Sequence, residues 1–322
     1  MENYQNKYII QILDKPEQMA AVEEMQRIVF KTNETNIVPA HVLLTYAHNG
    51  GVVIGAYYSN DPDSKLDTSK KNSFEERLQE PQLVGYVYGF PGLYRTPDGL
   101  ELKHCSHQKG VHPEHRNRGI AFELKKAQWM MVQLQGIGCI TWTYDPLLSP
   151  NANVNINKHG AVCNTYLRDV YGHSKDKLNP GIPTDRFRVD FWTDSERVKK
   201  RMNKDVHEKL DLDQLLSRGA EIINPTCINS NGLPRADFDQ SERMTQDFFY
   251  RSDDPSQILV EIPYSFIELR TKDIALALNW RLLTRSIFEF YFQKGYIVVD
   301  FIVYKDPQPR SFYVLSNKSD IL

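Results

Sequence analysis

The residues best suited to chemistry lie in one run, His112-Pro113-Glu114-His115-Arg116-Asn117-Arg118-Gly119-Ile120-Ala121. Its second half reads as a loop that opens a helix. The first amides of a helix have no acceptor inside it, and the helix dipole adds partial positive charge there. Gly119 lets a ligand approach the backbone, and Ala121 is small enough not to block it. Arg116 and Arg118 supply the charge a phosphate seeks. A pyrophosphate is the natural guest. The run lacks the Gly-Lys-Ser/Thr ending of a Walker loop, and it is not GxGxxG. A second chemistry competes for the region, because His104, Cys105, His107, His112 and His115 fall within twelve residues and zinc binds both residue types. Strand geometry sends successive side chains to opposite faces, and no second ligand pair has metal spacing, so no metal is expected.

A strand and a helix must position the loop. Leu102 to Val111 reads as the strand, ended by Pro113, which cannot donate to a ladder. From Ile120, apolar residues recur at Leu124, Ala127, Met131 and Leu134, which predicts an amphipathic helix closed by Gly136 and Gly138.

With these elements in place, Val111–Ala121 resembles the acyl-CoA-binding motif of the GNAT N-acetyltransferase superfamily, Arg/Gln-x-x-Gly-x-Gly/Ala. Ile140-Thr141-Trp142-Thr143-Tyr144-Asp145-Pro146, Asn151-Ala152-Asn153 and Lys158-His159-Gly160-Ala161-Val162 are similar to a branch of longer proteins in that family. The resemblance covers roughly 7–194 and continues more weakly toward the C-terminus. It implies an α+β fold on a mixed α/β sheet, in the order β-α-α-β-β-β-α-β-α-β-β. The GNAT domain is expected over 1–195, with a polar insertion at 59–81. A companion α/β subdomain is expected over 196–322, as a partial GNAT-like repeat without a second phosphate loop.

The resemblance also implies a site. Acetyl-CoA or another acyl-CoA would lie between the strands Leu102–Val111 and Cys139–Asp145. Its pyrophosphate would sit on Arg116, Asn117, Arg118, Gly119, Ile120 and Ala121. Its pantetheine would pair with the backbone of Lys109, Gly110 and Val111, where an N–H would polarise the thioester carbonyl. Asn153 either holds the cofactor or, like Asn151, caps a short helix. Glu101, His104 and His107 lie along the first strand as candidate bases. Histidine suits that role near neutral pH, whereas Glu101 would need burial. In a regular strand His104 and His107 face opposite sides. The family's usual tyrosine acid falls here on Ile156, so Tyr166, Tyr144 or water would protonate the thiolate. The implied reaction is N-acylation of a small primary amine, amino acids included, by direct attack on the thioester. A non-catalytic acyl-CoA sensor is the alternative. A peptide acceptor is disfavoured, since nothing marks a charged peptide groove.

Composition sets the outer bounds. The chain has 322 residues, 41% hydrophobic and 25% charged, with a net charge of −2. Such a balance suits a globular core and gives no basic field for nucleic acid. No apolar run approaches the ~20 residues of a membrane helix. The four cysteines lack CxxC spacing and read as buried thiols of a cytoplasmic protein. Arg197, Lys199, Lys200, Arg201, Lys204 and Lys209 mix with acids on what reads as a solvated linker helix. A long helix is expected from an Asp273 cap, carrying Ile274, Leu278, Leu282, Ile287 and Phe288.

Overall fold

The computed structural model describes residues 8–31, 34–59, 81–172, 181–204, 210–236, 255–305 and 308–317. Almost all of the polar insertion at 59–81 lies outside them, as does Lys209. The chain divides into two compact units, 1–141 and 142–322.

The first unit is a sheet with helices on both faces. Strand β1 (Tyr8–Ile12) leads to α1 (Pro16–Phe30), whose start is set by Pro16 at its first position. The Gln18 side chain takes the amides of Asp14 and Lys15, at 3.0 and 3.1 Å. Helix α2 (Ala40–His48) and strand β2 (Val52–Tyr58) follow, then a long hairpin of β3 (Gln82–Thr96) and β4 (Gly99–Val111). The second arm begins three residues before the expected Leu102. Helix α3 (Ile120–Leu134) and strand β5 (Cys139–Tyr144) come next. Strands β1 to β4 are antiparallel in sequence order, and β5 joins β4 in parallel. Met19, Val22 and Met25 of α1 and Leu43 of α2 pack with Tyr86 and Tyr88 on one face. Helix α3 covers the other.

The face that α3 buries differs from the expected stripe. Ile120, Leu124, Lys125, Gln128, Trp129 and Val132 are buried, while Leu134 is exposed. Two polar residues therefore lie under the helix, where β4 offers them partners.

The second unit is built on aromatic packing. A short helix α4 (Ser149–Ala152) runs into a π-helical turn, Asn153–Lys158, before β6 (Val162–Leu167) and β7 (Arg186–Trp192). Then come α5 (Glu196–Met202), α6 (Leu212–Ser217), β8 (Glu221–Ile222) and a hairpin of β9 (Thr226–Ile228) and β10 (Pro234–Ala236). Strand β11 (Gln257–Ile262), helices α7 (Phe266–Lys272) and α8 (Ile274–Gln293), and strands β12 (Ile297–Tyr304) and β13 (Arg310–Ser316) complete the unit. The strand order is β7-β6-β12-β13-β11-β8. Phe187 is the hub, with Tyr144, Tyr166, Phe288 and Tyr313 edge-on around it.

The two compact units part within β5, and β6 bonds directly to β12. Two expectations change here. The basic stretch is no solvated linker. Arg201 is buried and ion-paired with Asp300 at 3.0 Å, and Arg197 donates to the Gly160 carbonyl at 3.0 Å. Burial pushes the Arg197 pKa down to about 10. Helix α8 is capped by Asp273, whose side chain accepts from Leu276 N at 2.9 Å, but it buries Trp280, Arg281, Thr284, Ile287 and Phe288 and exposes Ile274 and Leu282.

Candidate functional site

Strand β4 carries the site. One edge pairs with β3 from Gly99 to Val111, and the other meets β5 at His104↔Ile140 and Cys105↔Thr141. The β3 ladder slips once: Ser106 stands opposite Gly89 and Gln108 opposite Tyr88. His107 is therefore the extra residue of a β-bulge, and a bulge re-aims the side chains after it. Before it, Ser106 and His104 face α3. Beyond it, Lys109 does, donating to the Ala121 carbonyl at 3.3 Å, while Gln108 takes the hydroxyls of Tyr86 and Tyr88 at 2.6 and 3.3 Å. Burial pushes the Lys109 pKa down to about 8.

The loop after β4 is held at several points. The His112 amide donates to the Val84 carbonyl at 2.8 Å, and Pro113–His115 form one 3-10 turn. Arg116 Nε donates to the Val111 carbonyl at 3.3 Å, and Arg118 Nη1 to the Tyr8 hydroxyl at 3.2 Å. Asn117 and Gly119 are left-handed, with φ of 63° and 84°. Gly119 is the N-cap of α3, and its carbonyl accepts from the amides of Phe122 and Glu123. The amides of Ile120 and Ala121 precede those bonds and have no acceptor in the helix. The space before Gly119 is open, since a Cβ there would meet nothing within 4 Å. The outcome is an exposed cationic helix start flanked by Arg116 and Arg118.

The candidate bases are placed very differently. Glu101 is exposed near the hairpin tip, where the Tyr94 hydroxyl donates to it at 2.8 Å. It lacks the burial its role required. His107 stands on the face away from α3, with its ring 5.6 Å from that of Tyr88 and 6.2 Å from that of Phe90. Desolvation holds its pKa below the ordinary histidine value.

His104 is fully buried under α3, and Gly89 must lack a side chain to admit it, since a Cβ there would sit 2.3 Å from His104 Nε2. Its Nε2 lies 3.2 Å from Gln128 Nε2. Gln128 Oε1 accepts from Ser106 and Lys125, at 2.9 and 3.0 Å, so its amide nitrogen is the donor to His104. The ring proton then sits on Nδ1. This His104–Gln128–Lys125–Ser106 cluster went unread in the sequence. Its one available signal was a lysine and a glutamine three apart on the helix.

Burial, aided by Lys125, pushes the His104 pKa down to about 3 from an ordinary 6.5. Above 6.5 the ring is neutral folded and unfolded, and its contribution to stability is complete. Below that, the unfolded chain takes a proton that the folded one refuses. Stability should fall by about 1.4 kcal/mol per pH unit as acidity rises. Urea midpoints between about pH 6.5 and pH 5, above the carboxylate range, check this. His104→Gln should flatten the slope, and an equal slope in both proteins would assign it elsewhere.

The remaining expected residues lie in the second unit. The Tyr166 hydroxyl donates to Asp185 at 2.7 Å, and Asp185 also holds Arg285 through two bonds of 2.8 Å. Asn153 does not cap the start of α4, which begins at Ser149, but stands at its C-terminal end. Its Oδ1 accepts from Asn157 at 3.0 Å. Ile156, at the family's tyrosine position, is wholly buried. Among the described residues no cluster of His, Cys, Asp and Glu is placed to hold a metal, and no helix is long and apolar enough to cross a membrane. Cys139 and Cys163 are buried as expected of thiols, but Cys227 is exposed on the β9–β10 hairpin.

No protein-family model matches the sequence, and no curated protein does. Solved structures do match. The NatC complex bound to Gag peptide and CoA aligns at 14% identity over 58% of this chain and 98% of its own, with a TM-score of 0.40. A putative GNAT-family acetyltransferase from Desulfovibrio desulfuricans aligns at 13% over 58% and 99%, with a TM-score of 0.39. Aminoglycoside 6'-acetyltransferase type Ii aligns at 14% over 58% and 99%, also with a TM-score of 0.39. Two of these three are acetyltransferases by name, one of them of the GNAT family.

Proposed function

We propose that the protein is an acyl-CoA-dependent N-acyltransferase of the GNAT type, acting on a small primary amine. The observation that carries this is the sequence of features along β4: a bulge at His107, a strand end at Val111, a left-handed Gly119, and helix amides with no internal acceptor. In this reading the pyrophosphate lies on the amides of Ile120 and Ala121, between Arg116 and Arg118. The pantetheine runs along the backbone at Lys109, Gly110 and Val111. An N–H of β4 near the bulge supports the developing oxyanion. The amine loses its proton to His107, directly or through a water, and attacks the thioester carbon. His107 takes this role because His104 is sealed under α3 and Glu101 is tied to Tyr94. With Ile156 at the tyrosine position and the Tyr166 hydroxyl engaged by Asp185, water protonates the departing thiolate.

The test is release of free thiol from acetyl-, succinyl- and longer acyl-CoA against pooled amino acids and polyamines. Tight acyl-CoA binding with no thiol release across that panel would favour the non-catalytic sensor, which Ile156 gives some ground for.

His107→Ala should lower kcat by about 10²-fold or more. Because the His107 pKa lies below its ordinary value, the base is already free at neutral pH. The rate should therefore fall only as pH drops below the ordinary histidine range, and that acid limb should vanish in the variant. A rate profile that keeps its acid limb in His107→Ala would remove His107 as the base.

A further inference from the structure

The second unit contains a cavity of about 490 Å³, a size typical of small-molecule sites. It lies where β8 and β11 part. These strands are parallel, paired at Glu221↔Ile258 and Ile222↔Leu259, with Ile223 N donating to the Leu259 carbonyl at 2.9 Å. The Asn224 side chain then bonds the backbone of Glu261 in both directions, at 2.8 Å each. Past it the chain turns away into the β9–β10 hairpin. The cavity fills the space between that hairpin, the end of β11 and α7. Space beyond the carboxyl ends of parallel strands is where α/β sheets hold ligands.

The same unit contains this corner twice. Strands β6 and β12 pair at Cys163↔Val298, and the hairpins β6–β7 and β12–β13 are mirrored about that contact. Strand β13 thus stands in the place of β7, and the end of β11 in that of the end of β5. Asp145, just past β5, lies 3.7 Å from Nη1 of Arg186, the first residue of β7. Glu261, near the end of β11, takes Nε and Nη2 of Arg310, the first residue of β13, at 2.8 and 2.6 Å. The Asp145 copy is closed by Arg281, whose side chain is only 1% exposed. The Glu261 copy faces the cavity instead.

The polar groups around the cavity decide what it can take. Both oxygens of Glu261 are engaged by Arg310, and the Thr226 hydroxyl adds a third bond at 2.9 Å. Glu268 is engaged by Lys272 at 2.7 Å and by Ser265. Both carboxylates on the cavity are therefore already ion-paired. Arg310 keeps a donor to spare: it lines the cavity with its side chain 35% exposed, and its Nη1 has no partner among the described residues. Leu233, Pro234, Ile262, Leu269 and Trp280 supply apolar walls.

We propose that this cavity is a second binding site, separate from the loop at Gly119, for a small carboxylate with an apolar body. The carboxylate meets the unused edge of Arg310, since guanidinium matches it in shape and charge. The body lies on Leu233, Ile262, Leu269 and Trp280. The proposal does not depend on acyl transfer.

Cys227 lines the cavity and is exposed, so it reports on occupancy. The experiment follows alkylation of Cys227 in the whole protein by iodoacetamide, resolved by peptide mass spectrometry. The probes are octanoate and 3-phenylpropanoate, their primary amides, and octylamine. Both acids should slow Cys227 saturably while leaving Cys105 unchanged, and the amides and the amine should not. Arg310→Lys, which keeps the charge but loses the planar fork, should weaken protection by about tenfold. Absence of protection by the acids overturns the proposal, as does equal protection by the amides or by octylamine. Undiminished protection in Arg310→Lys removes Arg310 as the anchor and overturns it too. Should that variant not fold, the acid–amide comparison on the wild-type protein decides alone.

Discussion

Replacing Gly119 by valine should lower coenzyme A affinity by at least about 100-fold in calorimetry. Two physical effects act together. A β-branched residue is a steric outlier at a φ of 84° and costs about 1–3 kcal/mol there, so the first turn of α3 shifts to relieve it. The branch also projects into the open space before the Ile120 and Ala121 amides, where the pyrophosphate would sit. Alanine separates the two effects. A Cβ at this position meets no neighbour within 4 Å, so Gly119→Ala should fold and lose only about 1–2 kcal/mol of stability to the left-handed backbone. Its affinity should fall between the other two. Equal affinity in wild type and Gly119→Val would sink the assignment of this loop as the cofactor site, and with it the proposed reaction.

The largest expected loss of stability is at Asp145. Its two oxygens lie 2.8 and 2.6 Å from Arg281 Nη2. Arg281 is almost wholly buried, and its guanidinium rests over the ring of Phe266 at 5.4 Å. Asp145→Ala leaves that charge without its nearest partner in a low-dielectric interior. Removing one member of a buried pair costs about 3–5 kcal/mol, most of it the desolvation of the charge left behind. Urea unfolding should register a shift of that order. Arg281→Met added to Asp145→Ala should recover part of the loss, because the methionine fills the space without a charge. A double variant as unstable as the sum of the two singles would show that the pair is not the source of the effect.

What could be read from the sequence was whatever neighbouring residues impose on one another. Pro113 and Gly119 mark where β4 must stop and α3 must start, and the two arginines beside Gly119 name the charge of its guest. Pro16 and Asp273 likewise set the starts of α1 and α8, as capping and proline geometry act within one turn of the chain. The tertiary structure decided what depends on distant partners. His107 became a bulged residue only because β3 pairs with β4 with one residue to spare. Lys125 and Gln128 lie inside only because His104 and Ser106 face them across the helix–sheet interface. That interface turns α3 away from its expected stripe and takes His104 out of reach of solvent. Strand β6 meets β12 where Cys163 pairs with Val298, a pairing that no periodicity announces. The Glu261–Arg310 corner likewise joins residues 49 apart in sequence. Local signals specify elements and their ends; which side chains are buried, paired or left free is set by contacts between elements far apart in the chain.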